Sequence, residues 1–145
     1  MANSIKLEVI TPSKLFYKGD VEIVICRTLS GEEGFMANHA WACKLLDIGD
    51  LWIQEAGQTE FKRAAIAGGY VDVKDSIIIY TDAAEWSGDI DMERALSQKE
   101  SAQAFLEAAG KADTSDPKEI AKAKVELAKA VTRMNVAKGN SRRKK

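Results

Sequence analysis

Apolar residues in the first part of the chain recur at every second position or in short β-branched runs. Residues 5–9 alternate strictly between apolar and polar side chains, and residues 21–28 are rich in valine and isoleucine. Turn-forming residues at positions 56–58 and 74–75 separate further short apolar runs. Short strands with one buried side and tight turns are typical of antiparallel sheets. Residues 1–86 are therefore predicted to form an antiparallel β-sandwich.

The apolar period changes after Asp91. Apolar side chains recur at intervals of three and four over residues 92–109 and again over residues 120–134, which predicts two amphipathic helices. Asp91 and Asp116 stand where side chains cap the free amides of a helix start. Because the connection around residues 113 and 114 is short, the helices are predicted to pair as an antiparallel hairpin.

Alanine dominates the apolar stripes of both predicted helices. Burial of a methylene group contributes roughly 0.8 kcal/mol, so alanine contacts hold two elements together less firmly than leucine contacts do. The sequence therefore predicts an α+β protein with a sandwich domain at 1–86 and a hairpin domain at 87–145. The hairpin is expected to be able to leave its resting place.

Charge is distributed unequally between these two parts. Up to Ala84 there are 8 basic and 12 acidic residues, whereas from Glu85 onward there are 13 basic and 10 acidic residues. Residues 141–145 form a basic tail. The basic excess fits a solvated helix face or a negatively charged partner. Nucleic-acid binding is disfavoured, because Phe105 is the only aromatic residue after Trp86.

The sequence offers little that could carry catalysis. His39 is the only histidine, which excludes Cys-His and multi-histidine sites within the chain, and no phosphate-binding loop is present. We therefore predict that the chain is not an enzyme. The first residues lack the pattern of a secretory signal and no long apolar run occurs, so direct membrane insertion is not expected.

Cysteines and tryptophans supply further expectations about burial. Cys26 and Cys43 both fall in apolar surroundings and are predicted to be buried, reduced thiols. Trp41 and Trp52 are predicted to anchor the sandwich core, and Trp86 to lie at the junction with the hairpin.

One cluster of charges deserves a functional hypothesis. Asp91 and Arg94 lie three residues apart at the start of the first helix, and antiparallel pairing places Arg94 beside Arg133, with Lys129 one turn away. Three cations repel one another unless anions join them, and Glu85, Asp91 and a nucleotide phosphate could do so. The alternative is that Asp91 only caps the helix and Arg94 is solvated.

Several motifs together resemble the epsilon subunit of bacterial and chloroplast F-type ATP synthases. The resemblance runs from about Ile5 to Ala137. The residues that carry it are Thr11-Pro12, Tyr17-Lys18-Gly19-Asp20-Val21-Glu22, Gly31-Glu32-Glu33-Gly34, Asn38-His39-Ala40, Ala67-Gly68-Gly69-Tyr70-Val71-Asp72-Val73 and Ile90-Asp91-Met92-Glu93-Arg94-Ala95. One departure is Ala37-Asn38, where the family usually has Pro-Gly.

The resemblance implies a non-catalytic rotor subunit at the foot of the central stalk. It implies that the sandwich binds the gamma subunit and the c-ring, and that the hairpin extends toward the alpha/beta catalytic head and inhibits ATP hydrolysis. No cofactor is required, and ATP is implied as a regulatory ligand. The implied location is the cytoplasmic face of the cell membrane, peripherally bound within the complex that moves protons or sodium ions.

The resemblance also implies roles for particular residues. Glu32 and His39 are candidates for the c-ring contact. Candidates for nucleotide binding are Glu85, Asp91, Arg94, Lys129 and Arg133. Candidates for inhibitory contacts with the beta subunits are Lys122, Lys124, Lys129, Arg133 and Lys138. An alternative function is a stand-alone ATP-sensing binding module that uses the hairpin.

Overall fold

The computed structural model describes residues 3–111 and 116–139; the centre of the helix connection and the basic tail at 141–145 lie outside these ranges. Strands precede two long helices, and the predicted sandwich followed by a helical hairpin is confirmed. The elements are β1 Ile5–Ile10, β2 Leu15–Thr28, β3 Gly31–Met36, β4 Ala42–Glu55, β5 Phe61–Val73, β6 Ile77–Tyr80, β7 Ala84–Trp86, α1 Met92–Lys111 and α2 Pro117–Ala137.

The strands form one bent sheet in the order β1-β6-β5-β4-β2-β3, with β7 added to β5. β1 also pairs with β2, so the sheet closes on itself and the sandwich is barrel-like. The described strand pairs are antiparallel except β1 and β6, which run parallel. The antiparallel prediction is wrong for this pair, because no tight turn joins these distant strands and fixes their relative direction.

β2 is one unbroken strand of 14 residues that runs through the turn-forming residues 18–20. Gly19 leaves room for the Tyr17 side chain, because a Cβ atom there would lie 2.7 Å from its hydroxyl oxygen. The first half of β2 pairs with β1 and the second half with β4. β2 therefore links the two layers of the sandwich.

The core belongs to the sandwich alone. Its buried cluster is drawn from residues 5–79, and Trp86 packs against it from the end of β7. The ring of Trp86 stacks on Phe16 with 4.5 Å between centroids, which fits its predicted place at the junction. Because the helices contribute nothing to this cluster, the sandwich has its own hydrophobic core and the hairpin is an attachment to it.

The two other tryptophans differ in burial. Trp52 is 6% exposed, and the guanidinium of Arg63 lies 4.5 Å from the centre of its ring. Trp41 is 69% exposed, so its prediction as a core anchor is wrong. It lies outside the strands, in the connection just before β4.

The two cysteines also differ, although both are free thiols. Cys26 lies in the core, and burial raises the pKa of its thiol to about 12. Cys43 is exposed on β4, where it lies on the outward side together with Leu45. The prediction of burial is therefore correct for Cys26 and wrong for Cys43.

Alkylation of the folded protein with iodoacetamide at neutral pH is expected to modify Cys43 and to spare Cys26. The reaction of Cys26 should be at least about a hundredfold slower, because only an accessible thiolate reacts. Intact mass measured over time gives both rates. A Cys43→Ser variant should show no fast phase, and fast incorporation of a second label into the wild-type protein would contradict the burial of Cys26.

Both helices begin at the predicted caps. The backbone N–H of Arg94 donates to Asp91 Oδ1 at 3.1 Å, and that of Lys118 donates to Asp116 Oδ1 at 2.9 Å. α1 continues through Gly110, a residue that often ends a helix, to Lys111. The cap positions are local properties of the sequence and were therefore predictable.

The hairpin rests on the sandwich through its second helix. α2 packs against α1 and also contacts β4, β5 and the 3-10 turn Ser87–Asp89. Small side chains make up the buried part of the helices: Ala95 and Ala102 on α1, and Ala130 and Val136 on α2, the helix that contacts both α1 and the sandwich. Such an interface buries little apolar surface per residue and is held weakly by the hydrophobic effect.

Candidate functional site

Arg133 joins three segments at the junction between sandwich and hairpin. Its Nε donates to Glu85 Oε1 at 3.0 Å and its Nη2 donates to Glu85 Oε2 at 3.4 Å. Its Nη1 donates to the side-chain oxygen of Gln98 at 2.8 Å. Glu85 belongs to β7, Gln98 to α1 and Arg133 to α2. We call Glu85, Gln98 and Arg133 the junction cluster.

A small cavity lies beside this cluster, between α2 and the sandwich. It has a volume of about 150 Å³ and is lined by Glu85, Lys129 and Arg133 together with apolar residues of β4 and β5. The Lys129 ammonium is 3.9 Å from Glu126 Oε1 one turn away on α2. Three of the predicted nucleotide-binding residues therefore share one cavity.

The two other predicted nucleotide-binding residues lie at the start of α1. Asp91 acts as the helix cap, and Arg94 is exposed. Within the described part of the chain, no hydrogen bond or ion pair joins the Arg94 guanidinium to another residue. Antiparallel pairing of the helices about the connection at residues 113 and 114 predicted that Arg94 would lie beside Arg133. Gln98, one turn further along α1, occupies that position instead. Packed helices cross at an angle, so such pairing shifts along their length.

The predicted inhibitory cations lie on different sides of α2. Lys124 lies opposite Arg133, because nine residues correspond to two and a half turns of about 3.6 residues. Lys122 lines the groove between α1 and α2, and Lys138 is exposed at the end of the helix. In this conformation Lys124 and Lys138 face solvent, whereas Arg133 is held in the junction cluster.

The two candidates for the c-ring contact lie near opposite ends of β3. Glu32 is next to the turn between β2 and β3, and His39 follows the other end of the strand. Six residues of strand span about 20 Å, so one flat partner would have to cover all of β3 to touch both. His39 packs edge-on against Phe35 with 5.1 Å between ring centres.

Asn38 explains how this loop tolerates its unusual sequence. Its φ angle is 67°, in the left-handed region that favours glycine. Asparagine is one of the few other residues that adopt this conformation readily. The backbone N–H of His39 donates to the carbonyl of Met36 at 3.2 Å, which closes the turn.

Sequence reasoning missed an exposed apolar face on the sandwich. Leu29 is 66% exposed and Leu45 is 62% exposed, and the two residues are joined by a backbone hydrogen bond of 3.2 Å. Leu45 is opposite Tyr70, whose ring stacks on Tyr80 at 4.9 Å. We call these four residues the apolar face. The signal was present in the apolar side chain of Leu45 at an outward position of β4.

Two groups with shifted pKa values, the Glu55 carboxyl and the Tyr17 phenol, lie away from the junction cluster. The pKa of the Glu55 carboxyl is lowered by two hydrogen bonds that it accepts. The bond from the Lys62 ammonium has the larger effect, and the bond from the Tyr17 hydroxyl has the smaller one. Burial, followed by the bond to Glu55, raises the pKa of Tyr17. These residues join β2, β4 and β5.

The described ranges hold neither a metal-ligating cluster nor a membrane-spanning helix. Residues 3–111 and 116–139 contain no group of three His, Cys, Asp or Glu side chains placed to hold a metal ion. Neither α1 nor α2 is apolar enough over its length to cross a bilayer.

Family models match both parts of the chain. Residues 4–87 match the model described as the beta-sandwich domain of the ATP synthase delta/epsilon chain, and residues 89–138 match its long alpha-helix domain. An ATP synthase epsilon chain of Caldicellulosiruptor bescii is 38% identical over 136 residues, which cover 93% of this chain and 94% of the relative. One of Bacillus velezensis is 36% identical over 135 residues, covering 92% and 97%.

Solved structures agree on the fold. A chain of the Euglena gracilis mitochondrial ATP synthase has a TM-score of 0.75 at 23% identity, and the match covers 89% of this chain and 78% of that one. A chain from the central stalk and c-ring of the Tetrahymena thermophila mitochondrial ATP synthase has a TM-score of 0.60 at 14% identity, covering 93% and 97%. With the sequence matches, the predicted family is confirmed: the chain belongs to the ATP synthase delta/epsilon chain family and is of the epsilon type.

Proposed function

We propose that this chain is a non-catalytic rotor subunit of an F-type ATP synthase. Its sandwich binds the gamma subunit and the c-ring in the central stalk, and it couples rotation in the catalytic head to the c-ring. The observation that carries this proposal is the division of the molecule into a sandwich with its own core and a weakly attached helical hairpin. The solved Tetrahymena relative is described as central stalk and c-ring, which supports the same placement.

The hairpin has a regulatory role in this proposal. When it leaves the sandwich, α2 approaches the beta subunits with its basic side chains, obstructs rotation and inhibits ATP hydrolysis. Basic residues outnumber acidic ones in the second half of the chain, which supports an acidic partner for the extended hairpin. The complex holds the protein peripherally at the cytoplasmic face of the membrane.

The apolar face is the surface that we assign to the gamma subunit. Leu29, Leu45 and Tyr70 are exposed, and backbone pairing brings Leu45 next to both of the others; exposed apolar side chains grouped in this way are typical of protein interfaces. Tyrosine supplies large contact area at low cost in side-chain entropy. The c-ring contact is assigned to the end of the sandwich that carries His39.

A Leu45→Asp substitution is expected to weaken binding to the gamma subunit at least about tenfold, because it places a charge in a desolvated interface. Calorimetry or co-purification with the gamma subunit of the same complex measures the loss. Thr59→Asp introduces the same charge in the exposed turn between β4 and β5 and serves as the control. If Leu45→Asp and Thr59→Asp bind equally well, the apolar face is not the docking surface. If the wild-type protein does not bind gamma at all, the rotor proposal fails.

A further inference from the structure

The junction cluster connects the hairpin to the sandwich through charged hydrogen bonds. The Arg133 guanidinium uses both of its edges, one for the Glu85 carboxylate and one for Gln98. The Arg133 side chain is 20% exposed and that of Glu85 is 35% exposed, so water screens the pair only partly. Hydrogen bonds between charged groups in this setting are stronger than those between neutral groups.

The surrounding apolar contacts are weak by comparison. On α2, the helix that contacts the sandwich, the described buried residues are Ala130 and Val136, and the cavity beside Arg133 removes part of the packing that α2 would otherwise gain on β5. Because apolar packing between α2 and the sandwich is limited in this way, the polar contacts supply a large share of the free energy that holds the hairpin in place. The cluster also binds both helices at once, since Gln98 belongs to α1 and Arg133 to α2.

We infer that the junction cluster is a latch that holds the hairpin on the sandwich without any ligand. The Glu85 carboxylate takes the place that an external anion would otherwise occupy beside Arg133. Opening the latch releases the hairpin and frees the Arg133 cation at the same moment. The regulatory meaning of this latch rests on the proposed function, whereas the latch itself is a property of the isolated chain.

The latch makes two uses of Arg133 mutually exclusive. While Arg133 binds Glu85 it cannot contact an acidic partner, and once it binds such a partner it cannot close the hairpin. A phosphate group near Arg133 would also face the negative charge of Glu85, so nucleotide binding there has to compete with the latch. The folded hairpin therefore needs no nucleotide.

The test is a distance measurement in the isolated full-length chain without nucleotide. Spin labels are placed on the exposed Cys43 and on a Lys124→Cys variant, whose side chain lies on the opposite side of α2 from Arg133; the buried Cys26 stays unlabelled. In the wild-type background a single short distance is expected. Glu85→Gln should raise the ratio of open to folded hairpins about tenfold, because a charged hydrogen-bond partner is lost.

A stronger variant covers the case in which the wild-type hairpin is almost entirely folded. Arg133→Glu brings two carboxylates together and should make the open form the major one. Glu126→Gln removes the same kind of charge from a pair confined to α2, at 3.9 Å, and should leave the distances unchanged. The exchanged pair Glu85→Arg with Arg133→Glu should restore part of the folded population.

Two results would overturn the latch. One is that Glu85→Gln and Arg133→Glu both keep the wild-type distance; the other is that the wild-type hairpin is open until ATP is added. ATPase assays with the assembled head separate this outcome from the proposed function. If the hairpin opens in Arg133→Glu but the truncation after Trp86 leaves ATP hydrolysis unchanged, the latch stands and the inhibitory role fails.

Discussion

Removal of residues 87–145 is expected to raise ATP hydrolysis by the assembled enzyme about fivefold or more, a typical size for coupling between a regulatory element and a distant site. The reason is steric and electrostatic: the truncated subunit keeps the sandwich but has no basic helix that can enter the catalytic head. The core cluster lies entirely within residues 5–79, so the sandwich that remains should fold and bind the stalk. Steady-state ATPase activity of the reconstituted complex is the measurement.

A second variant distinguishes the positive charge of the hairpin from its steric bulk as the cause of inhibition. Lys124→Gln combined with Lys138→Gln neutralises two cations that face solvent in the folded hairpin and leaves the junction cluster intact. If charge holds the extended form, this variant should lose part of the inhibition while its hairpin still rests normally on the sandwich. Equal ATPase activity of the full-length and truncated proteins would remove the hairpin from regulation.

Gly69→Ala is expected to destabilise the sandwich by about 3 kcal/mol or more, a loss typical of a forced backbone clash. A Cβ atom at this position would lie 1.8 Å from the carbonyl oxygen of Tyr80 and 2.8 Å from the Cα atom of Thr81. Backbone atoms cannot turn aside as a flexible side chain can, so β5 and β6 would have to separate. Urea unfolding followed by tryptophan fluorescence measures the loss.

Gly31→Ala is the matched control for this substitution. Gly31 and Gly69 have similar φ angles, 118° and 110°, but a Cβ atom on Gly31 would meet no atom within 4 Å. The control isolates backbone strain, which is expected to cost about 1 to 2 kcal/mol. Equal losses for the two variants would show that the close approach of the Tyr80 carbonyl has no importance.

Local patterns in the sequence were reliable wherever the physical cause was also local. The aspartates that cap α1 and α2 act on amides two or three residues away, so their position alone was sufficient. The turns at residues 56–58 and 74–75 were likewise recognisable from their residues. The predicted architecture followed from the spacing of apolar residues, which changes at Asp91 from every second position to intervals of three and four.

The candidate site was only partly predictable. Glu85, Lys129 and Arg133 lie at one cavity, but Arg133 contacts Gln98 where simple pairing predicted Arg94. The crossing of two helices depends on the side chains between them and on the surface beneath them, which are contacts between distant parts of the chain. The roles of Glu32, His39 and the basic residues of α2 remain predictions.

By itself the sequence determined the family, the sandwich, the helical hairpin and the helix starts, because each depends on periodicity, capping or ordered motifs. Only the tertiary structure decided which side chains are covered: Trp52 is buried and Trp41 is exposed, and Cys26 and Cys43 differ in the same way. It also decided that Arg133 binds Glu85. The alternation of apolar and polar residues predicts which side chains share one side of a strand. Contacts between distant parts of the chain then determine whether that side is covered.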